Sequence, residues 1–211
     1  MVKNNYQKSF LKWVGGKQKL LENIIPNIPL EMENYHEIFL GGGTILLAVL
    51  SLQKENKIKI KNKIYAYDLN KSLINCFKQI QKNAQKIYYL VCAIKKTFLS
   101  IETNITLDNE GNTIKGAPTV TKDNFMTTRE HYYYWIRHLY NTTSKTSQKS
   151  AAYFIFLNKT GFRGMYREGQ DGKFNIPYGL KDKKTNPSII NKSEIENISA
   201  LIQNVEFICC D

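Results

Sequence analysis

Three consecutive glycines, Gly41 to Gly43, place the strongest constraint on the fold of this 211-residue chain. The segment before them, "NYHEIFL", alternates enough to predict a β-strand, and the apolar run after them, "TILLAVLSLQKEN", predicts a buried helix. A further strand is predicted at "KIYAYD", which ends at Asp68. The order strand, glycine turn, helix and strand indicates a βαβ unit, and such units build parallel sheets.

The rest of the chain is predicted to be mainly helical. A short helix ends at Pro26, residues 71–99 form one or two helices, and further helices cover 128–141 and 193–204. The last helix is predicted to begin with a Ser-x-x-Glu capping box at Ser193. Polar residues over 100–124 predict a loop or a weak hairpin. From Lys149 a helix is predicted to pass into a hairpin with "GQDG" as its turn, and "VEFICCD" predicts a final strand.

The glycine turn indicates a small-molecule site. A strand that leads through glycines into a helix brings main-chain N–H groups and the positive helix end to one crevice, which a ligand can approach closely. Asp68, at the end of the next strand, can accept two hydrogen bonds from a ribose diol. Together these features predict a nucleoside pocket. A glycine turn that only packs a helix on a strand remains the alternative.

Two phosphate-binding fingerprints are excluded by their spacing. Leu46 stands where the dinucleotide fingerprint requires glycine or alanine. The sequence "GGKQ", which begins at Gly15, lacks both the earlier glycine and the Ser or Thr of a Walker A loop. A nucleoside without a pyrophosphate, such as S-adenosylmethionine, is therefore the better prediction.

A second segment, "FLKWVGGKQKL", supplies groups that suit the same ligand. Trp13 can cover an adenine ring, Gly15 and Gly16 can admit the ligand, and Lys17 can meet its carboxylate. Ordinary core packing is the alternative for Trp13.

The charge distribution favours a polyanionic partner. The net charge is +12; residues 142–187 contain nine Lys or Arg against three Asp or Glu, and the first 25 residues contain five lysines and one glutamate. Such an excess favours nucleic acid through counterion release. A lysine-rich and asparagine-rich coding bias would also produce it.

Other compositional features exclude several classes. The four cysteines form no C-x-x-C pair, so reduced thiols are expected and no metal site is predicted. No apolar run approaches the roughly 20 residues of a membrane-spanning helix. The first residues contain no secretory signal, so a cytoplasmic protein without a membrane partner is expected.

Five segments in this order resemble the Dam-type (D12 class) DNA adenine-N6 methyltransferases: "FLKWVGGK", "FLGGGT", "YAYDLN", "YYYWIRHLYN" and "FLNKTGFRGMYREGQDGKFNIPYG". The resemblance implies an α/β, Rossmann-like methyltransferase core that uses S-adenosylmethionine, with an inserted helical and hairpin domain that recognises double-stranded DNA. It places the core in residues 1–75 and 195–211 and the recognition domain in 76–194. Ile38 stands where the family usually has proline.

The resemblance also assigns binding roles. The implied cofactor residues are Trp13, Gly15, Lys17, Phe39, Gly41, Gly43 and Asp68. The implied DNA-binding residues are Lys12, Phe162, Arg163, Met165 and Arg167. An aromatic side chain at a hairpin tip can wedge between bases when one is flipped out, and arginine can recognise guanine through a bidentate pair. A hydrophobic turn and a solvated basic face are the alternatives. Arg163 occupies a position where the family usually has asparagine, so the target sequence is not predicted.

The family's catalytic motif, Asp-Pro-Pro-Tyr, does not occur in the 211 residues. The similar "NIPY", from Asn175 to Tyr178, lies inside the hairpin segment and does not match by order. We therefore predict no catalytic residue, and we expect C-terminal strands of the sheet to be missing. A truncated chain, a second polypeptide that supplies the motif, and a non-catalytic DNA-binding remnant are the alternatives. A small-molecule methyltransferase is a further class, but it would not need a basic hairpin.

Overall fold

A computed structural model describes residues 6–105, 107–108, 110, 116–180 and 186–210. In these ranges the α-helices are α1 (Leu21–Ile24), α2 (Thr44–Lys54), α3 (Lys71–Ser100), α4 (Arg129–Thr142), α5 (Gln148–Thr160) and α6 (Lys192–Leu201). The β-strands are β1 (Glu31–Met32), β2 (Tyr35–Glu37), β3 (Lys59–Ile60), β4 (Ile64–Asp68) and β5 (Val205–Cys209). Single turns of 3₁₀-helix occupy Gln18–Leu20, Ile25–Asn27 and Phe162–Gly164. The chain is therefore a mixed α/β protein.

Both sheets are parallel. One contains three strands in the order β2-β4-β5, and the other pairs β1 with β3. Because α2 connects the parallel neighbours β2 and β4, the predicted βαβ unit is confirmed. Asp68 lies opposite Cys209, so the carboxyl ends of β4 and β5 meet at one edge of the sheet. Strands β1 and β3 are not among the predicted elements.

Helix α2 is buried on nearly all sides, which confirms the prediction from its continuous apolar run. Residues 46–52 are all buried. Helix α3 is the longest and packs against α5, α6 and β5. The side chain of Asn70 caps it by accepting two main-chain N–H bonds, and Asn83 interrupts it with φ −160° and ψ 76°. Helix α3 also runs past residue 75, where the resemblance places the end of the first core segment.

One face of the three-stranded sheet packs on the helices. The inward side chains of β4 and β5 are Ile64, Ala66, Val205 and Phe207, all buried. The other face has a stack of His36, Tyr65 and Tyr67, with ring centroids 4.8 to 6.2 Å apart. These three rings are half-buried or exposed, so this face is in contact with solvent in the described part of the chain.

The glycine turn owes part of its composition to packing. Gly43 precedes α2 with φ 75°, a left-handed conformation that disfavours side chains. A Cβ at this position would lie 2.8 Å from Cζ of Phe77. Phe77 is fully buried and its ring packs against Phe10 and Phe207, with both pairs of centroids 5.3 Å apart. Packing against Phe77 therefore requires a residue without a side chain at position 43, whether or not Gly43 also borders a ligand.

We expect Gly43→Ala to lower the free energy of unfolding by about 2–5 kcal/mol, since it adds overpacking to a strained φ. Gly15→Ala is the matched control, because Gly15 also has a positive φ of 76°, but a Cβ added there would meet nothing within 4 Å. Its cost should be only about 1–2 kcal/mol. Urea denaturation of both variants measures the difference, and equal losses would contradict the packing role of Gly43.

Two local predictions need correction or restriction. Helix α6 begins at Lys192, and its N-cap is Asn191, whose Oδ1 accepts the N–H of Glu194; the predicted capping box at Ser193 is wrong. The physical reason is that an Asn two residues earlier offers a competing acceptor. Of the predicted "DNEGN" turn, residues 109, 111 and 112 lie outside the described ranges.

Among the helices that the structure describes, none has the length and apolar character needed to cross a bilayer.

Candidate functional site

A cleft of about 330 Å³ lies at the carboxyl ends of β2 and β4, and we call it the glycine cleft. Six of the seven residues predicted to bind a cofactor line it: Trp13, Gly15, Lys17, Phe39, Gly41 and Asp68. The seventh, Gly43, is buried behind the turn against Phe77. The tertiary structure thus brings together two segments that the sequence separates, residues 13–17 and 37–45.

Asp68 holds the glycine turn through both carboxylate oxygens. Its Oδ2 accepts the main-chain N–H of Gly41 at 2.9 Å, and its Oδ1 accepts the N–H of Asn70 at 2.9 Å. Each carboxylate oxygen can accept a second hydrogen bond. The half-buried carboxylate can therefore organise the turn and still bind a diol in the cleft.

Trp13 forms the wall between the glycine turn and the hairpin. A Cβ on Gly41 would lie 3.1 Å from Cδ1 of Trp13, so the missing side chain allows the indole to pack closely on the turn. On its other side, Trp13 stacks on Tyr166, with centroids 6.4 Å apart and planes 26° apart, and it contacts Phe154. The half-buried indole is therefore held by packing and also lines the cleft.

Three more cleft residues differ in exposure. Phe39 is 86% exposed at the rim, and Lys17 is also exposed. Glu37, which sequence reasoning missed, is buried at the end of β2, and its Oε2 accepts the hydroxyl of Tyr35 at 2.8 Å. Burial raises the pKa of the Glu37 carboxyl, and the hydrogen bond from Tyr35 partly opposes this. Its position just before the glycine turn was the signal available in the sequence.

The predicted hairpin is short and irregular. Its arms meet at Gly161 and Tyr178, and Phe162 N–H donates to the main-chain oxygen of Pro177 at 2.9 Å. A Cβ on Gly179 would lie 2.5 Å from the main chain of Gly161, so the second arm can approach the first this closely only because position 179 has no side chain. The "GQDG" turn is confirmed by the hydrogen bond from Gly172 N–H to Gly169.

Residues 162–165 lead from α5 into the first arm of the hairpin, on the side opposite its "GQDG" turn, and we call this segment the hairpin tip because the sequence pattern predicted it as such. The predicted DNA-binding side chains in and beside it differ in exposure. Phe162 is 43% exposed, and the exposed Arg163 has φ 53° with its guanidinium 5.1 Å from the Phe162 ring. Met165 is half-buried and packs against the core. Arg167 is exposed and donates to Oδ1 of Asn175 at 2.7 Å. Lys12 lies beside the tip, and its Nζ donates to the main-chain oxygen of Lys159 at 3.1 Å.

Helix α4 holds the second arm of the hairpin. The Tyr133 hydroxyl donates to the main-chain oxygen of Ile176 at 2.9 Å, and Asn141 exchanges two hydrogen bonds with the main chain of Phe174. The role of these residues is not visible in the sequence, because each bonds to a segment more than 30 positions away.

A second cleft of about 550 Å³ adjoins the first and shares Asp68 with it. Its walls include the exposed Leu69, the ring of Tyr166 and the ammonium of Lys145. Burial lowers the pKa of Lys145. The two clefts therefore lie on either side of Asp68, and the second extends to the hairpin residues Tyr166, Glu168 and Gly172.

Comparison with known proteins identifies relatives of the whole chain. Residues 13–211 match the family described as "D12 class N6 adenine-specific DNA methyltransferase". The chain is 32% identical to "Type II methyltransferase M.MjaIII" of Methanocaldococcus jannaschii, with 97% of this chain and 62% of that protein covered. It is 27% identical to "DNA adenine methylase" of Haemophilus influenzae, with 97% of this chain and 57% of that protein covered. The chain therefore spans about three fifths of the length of these relatives.

Proposed function

Since this chain belongs to the D12 class of N6 adenine-specific DNA methyltransferases, we propose that it provides the S-adenosylmethionine-binding and DNA-binding parts of a site-specific adenine-N6 methyltransferase. The observation that carries this proposal is the glycine cleft, where Asp68 and the Gly41 main chain meet within a set of six predicted cofactor residues. We further propose the division into a core, residues 1–75 and 195–211, and a recognition domain, residues 76–194.

The glycine cleft suits S-adenosylmethionine in size and in donor set. Its volume of about 330 Å³ falls within the range of small-molecule pockets. Asp68 would accept the ribose hydroxyls, Lys17 would pair with the carboxylate, and the Gly41 region would border the ligand without a side chain. Trp13 would cover an apolar part of it.

When bound, S-adenosylmethionine supplies an electrophilic methyl group on a sulfonium. Held by Asp68, Lys17 and Trp13, it would supply this methyl group to the N6 amino group of adenine. This chain's residues would hold the methyl donor and present the DNA base by proximity and orientation. We assign no residue of the chain to N6 itself. A second polypeptide that carries the catalytic motif is one proposed partner.

Calorimetric titration of the purified chain with S-adenosylmethionine tests the proposal directly. We expect saturable binding with one ligand per chain, and we expect NAD to bind at least about 100-fold more weakly, since the cleft lacks a dinucleotide fingerprint. If S-adenosylmethionine does not bind, or binds no more tightly than NAD, the proposal is refuted and a non-catalytic DNA-binding remnant is favoured.

A second prediction concerns the hairpin tip and double-stranded DNA. We expect Arg163→Ala to weaken binding to a selected target duplex by about 5- to 100-fold, because a bidentate arginine contact contributes about 1–3 kcal/mol. Fluorescence anisotropy at several salt concentrations measures this loss.

Lys57→Ala is the matched control for that experiment. Lys57 follows α2 at the end opposite the glycine turn, and it pairs with Glu55. This substitution removes the same charge, but duplex binding should change less than about twofold. Equal effects of the two substitutions would show that only net charge matters and would contradict a specific role of Arg163.

A further inference from the structure

A buried amide connects the two halves of the proposed site. Asn158 lies in the last turn of α5 and is 3% exposed. Its Oδ1 accepts the main-chain N–H of Lys12 at 2.9 Å, and its Nδ2 donates to the main-chain oxygens of Lys12 at 2.7 Å and Gly164 at 3.0 Å. One side chain therefore binds both the residue before Trp13 and the hairpin tip.

The two segments that Asn158 joins are in direct contact. Gly164 has φ 67°, and a Cβ on it would lie 2.4 Å from Cβ of Lys12. Next to this contact, the Trp13 ring stacks on Tyr166. The N-terminal loop, residues 12–17, and the hairpin tip, residues 162–165, consequently have little freedom to move apart while these bonds persist.

Asparagine suits this position because its amide has one acceptor oxygen and two N–H donors. At Asn158 all three functions are used, two of them on Lys12. Aspartate would keep the acceptor and lose both donors, and leucine would keep neither. Buried main-chain groups left without partners are costly, so either substitution should release the loop, the tip or both.

We infer that Asn158 is a positioning residue that fixes the N-terminal loop against the hairpin tip, so that the cofactor site and the DNA site form at the same time. The inference rests on the proposed function. Asn158 itself lies outside the lining of the glycine cleft and acts through Lys12, Trp13 and Gly164. Its loss should therefore weaken S-adenosylmethionine and DNA binding together.

Asn141 provides a matched control. Its amide makes the same kind of bonds, accepting from Phe174 N–H at 2.9 Å and donating to the Phe174 main-chain oxygen at 3.0 Å. These bonds hold the opposite arm of the hairpin to α4. Asn141→Leu should therefore perturb the hairpin and leave the N-terminal loop in place.

The experiment compares Asn158→Leu, Asn158→Asp and Asn141→Leu in the full chain. We expect both Asn158 substitutions to weaken S-adenosylmethionine binding by about tenfold in calorimetry, and Asn141→Leu to change it by less than about twofold. Amide hydrogen exchange by NMR supplies a second measurement without ligand. Lys12 N–H should exchange at least about tenfold faster in Asn158→Leu, whereas Asn158→Asp, which keeps the acceptor, should preserve more of its protection.

Several outcomes would decide against the inference. Unchanged cofactor affinity in a folded Asn158 variant would do so, as would an equal loss in Asn141→Leu, because an equal loss would indicate general destabilisation. If Asn158→Leu does not fold, the test depends on Asn158→Asp, through its affinity for S-adenosylmethionine and its rate of Lys12 amide exchange. A wild-type chain that fails to bind S-adenosylmethionine would refute the proposed function, while Lys12 exchange would still support or overturn the positioning role.

Discussion

Replacement of Asp68 by alanine should lower the affinity for S-adenosylmethionine by at least about 100-fold, because a carboxylate that accepts two hydrogen bonds contributes about 3 kcal/mol or more. Alanine also removes the acceptors for Gly41 N–H and Asn70 N–H, so the turn that borders the cleft loses its side-chain attachment to β4 and keeps the main-chain bond from Leu40 to Tyr67. Both effects lower the affinity for S-adenosylmethionine. Calorimetric titration of the purified variant measures the loss.

Asp68→Asn should lower the affinity for S-adenosylmethionine nearly as much as Asp68→Ala. Each carboxylate oxygen faces a main-chain N–H donor, so an amide must direct its NH₂ group at either Gly41 or Asn70. Glu206→Gln is the control, since Glu206 is an exposed acid on the neighbouring strand that pairs with Lys63. Its cofactor affinity should equal that of the wild type. If Asp68→Asn binds S-adenosylmethionine normally, the assigned role of the carboxylate is wrong.

Phe77→Ala should lower the free energy of unfolding by about 3–5 kcal/mol, the usual cost of removing a buried phenylalanine. The fully buried ring lies beneath Gly43 and packs against Phe10 and Phe207, so the cavity would open between the turn, the N-terminal segment and the sheet. Against a typical total of about 5–15 kcal/mol, this loss is large. Urea denaturation followed by circular dichroism measures it.

Phe39→Ala is the control for this second experiment. Phe39 is 86% exposed, so its removal should change the free energy of unfolding by no more than about 0.5 kcal/mol. Since Phe39 lines the glycine cleft, its substitution should lower the affinity for S-adenosylmethionine without lowering the free energy of unfolding by more than this amount. A Phe77 variant that is as stable as the Phe39 variant would contradict the packing that we describe around Gly43.

Most helices and the central strands were predictable because their patterns are local. The continuous apolar run of α2 and the strand at β4 follow from hydrophobic periodicity, and both are confirmed. The two-residue strand β1 was not predictable, since two residues show no periodicity. Strand β3 was missed although residues 57–61 alternate between lysine and isoleucine. The predicted start of α6 was wrong for a different reason. Asn191 and Ser193 are both acceptable N-cap residues, and local propensity does not choose between them.

The candidate site was predictable in part. The glycine turn and Asp68 carry a recognisable chemical pattern, and the structure brings Gly41 and Asp68 within hydrogen-bond distance. Gly43 is the same residue type but lies against Phe77, and this contact could not be predicted from the sequence. Glu37 was missed because its burial is not visible in the sequence, where only its position just before the glycine turn could have indicated a role.

The sequence alone was sufficient to predict the parallel βαβ unit, the family resemblance and most residues around the glycine cleft. Each of these predictions is based on short segments in which neighbouring residues form a recognisable pattern. Only the tertiary structure decided that Gly41 lines the glycine cleft and that Gly43 lies against the ring of Phe77. It also decided that Asn158, 146 positions from Lys12, holds that residue against the hairpin tip. The physical reason is that a hydrogen bond depends on distance in space, and local periodicity contains no information about segments so far apart in the chain.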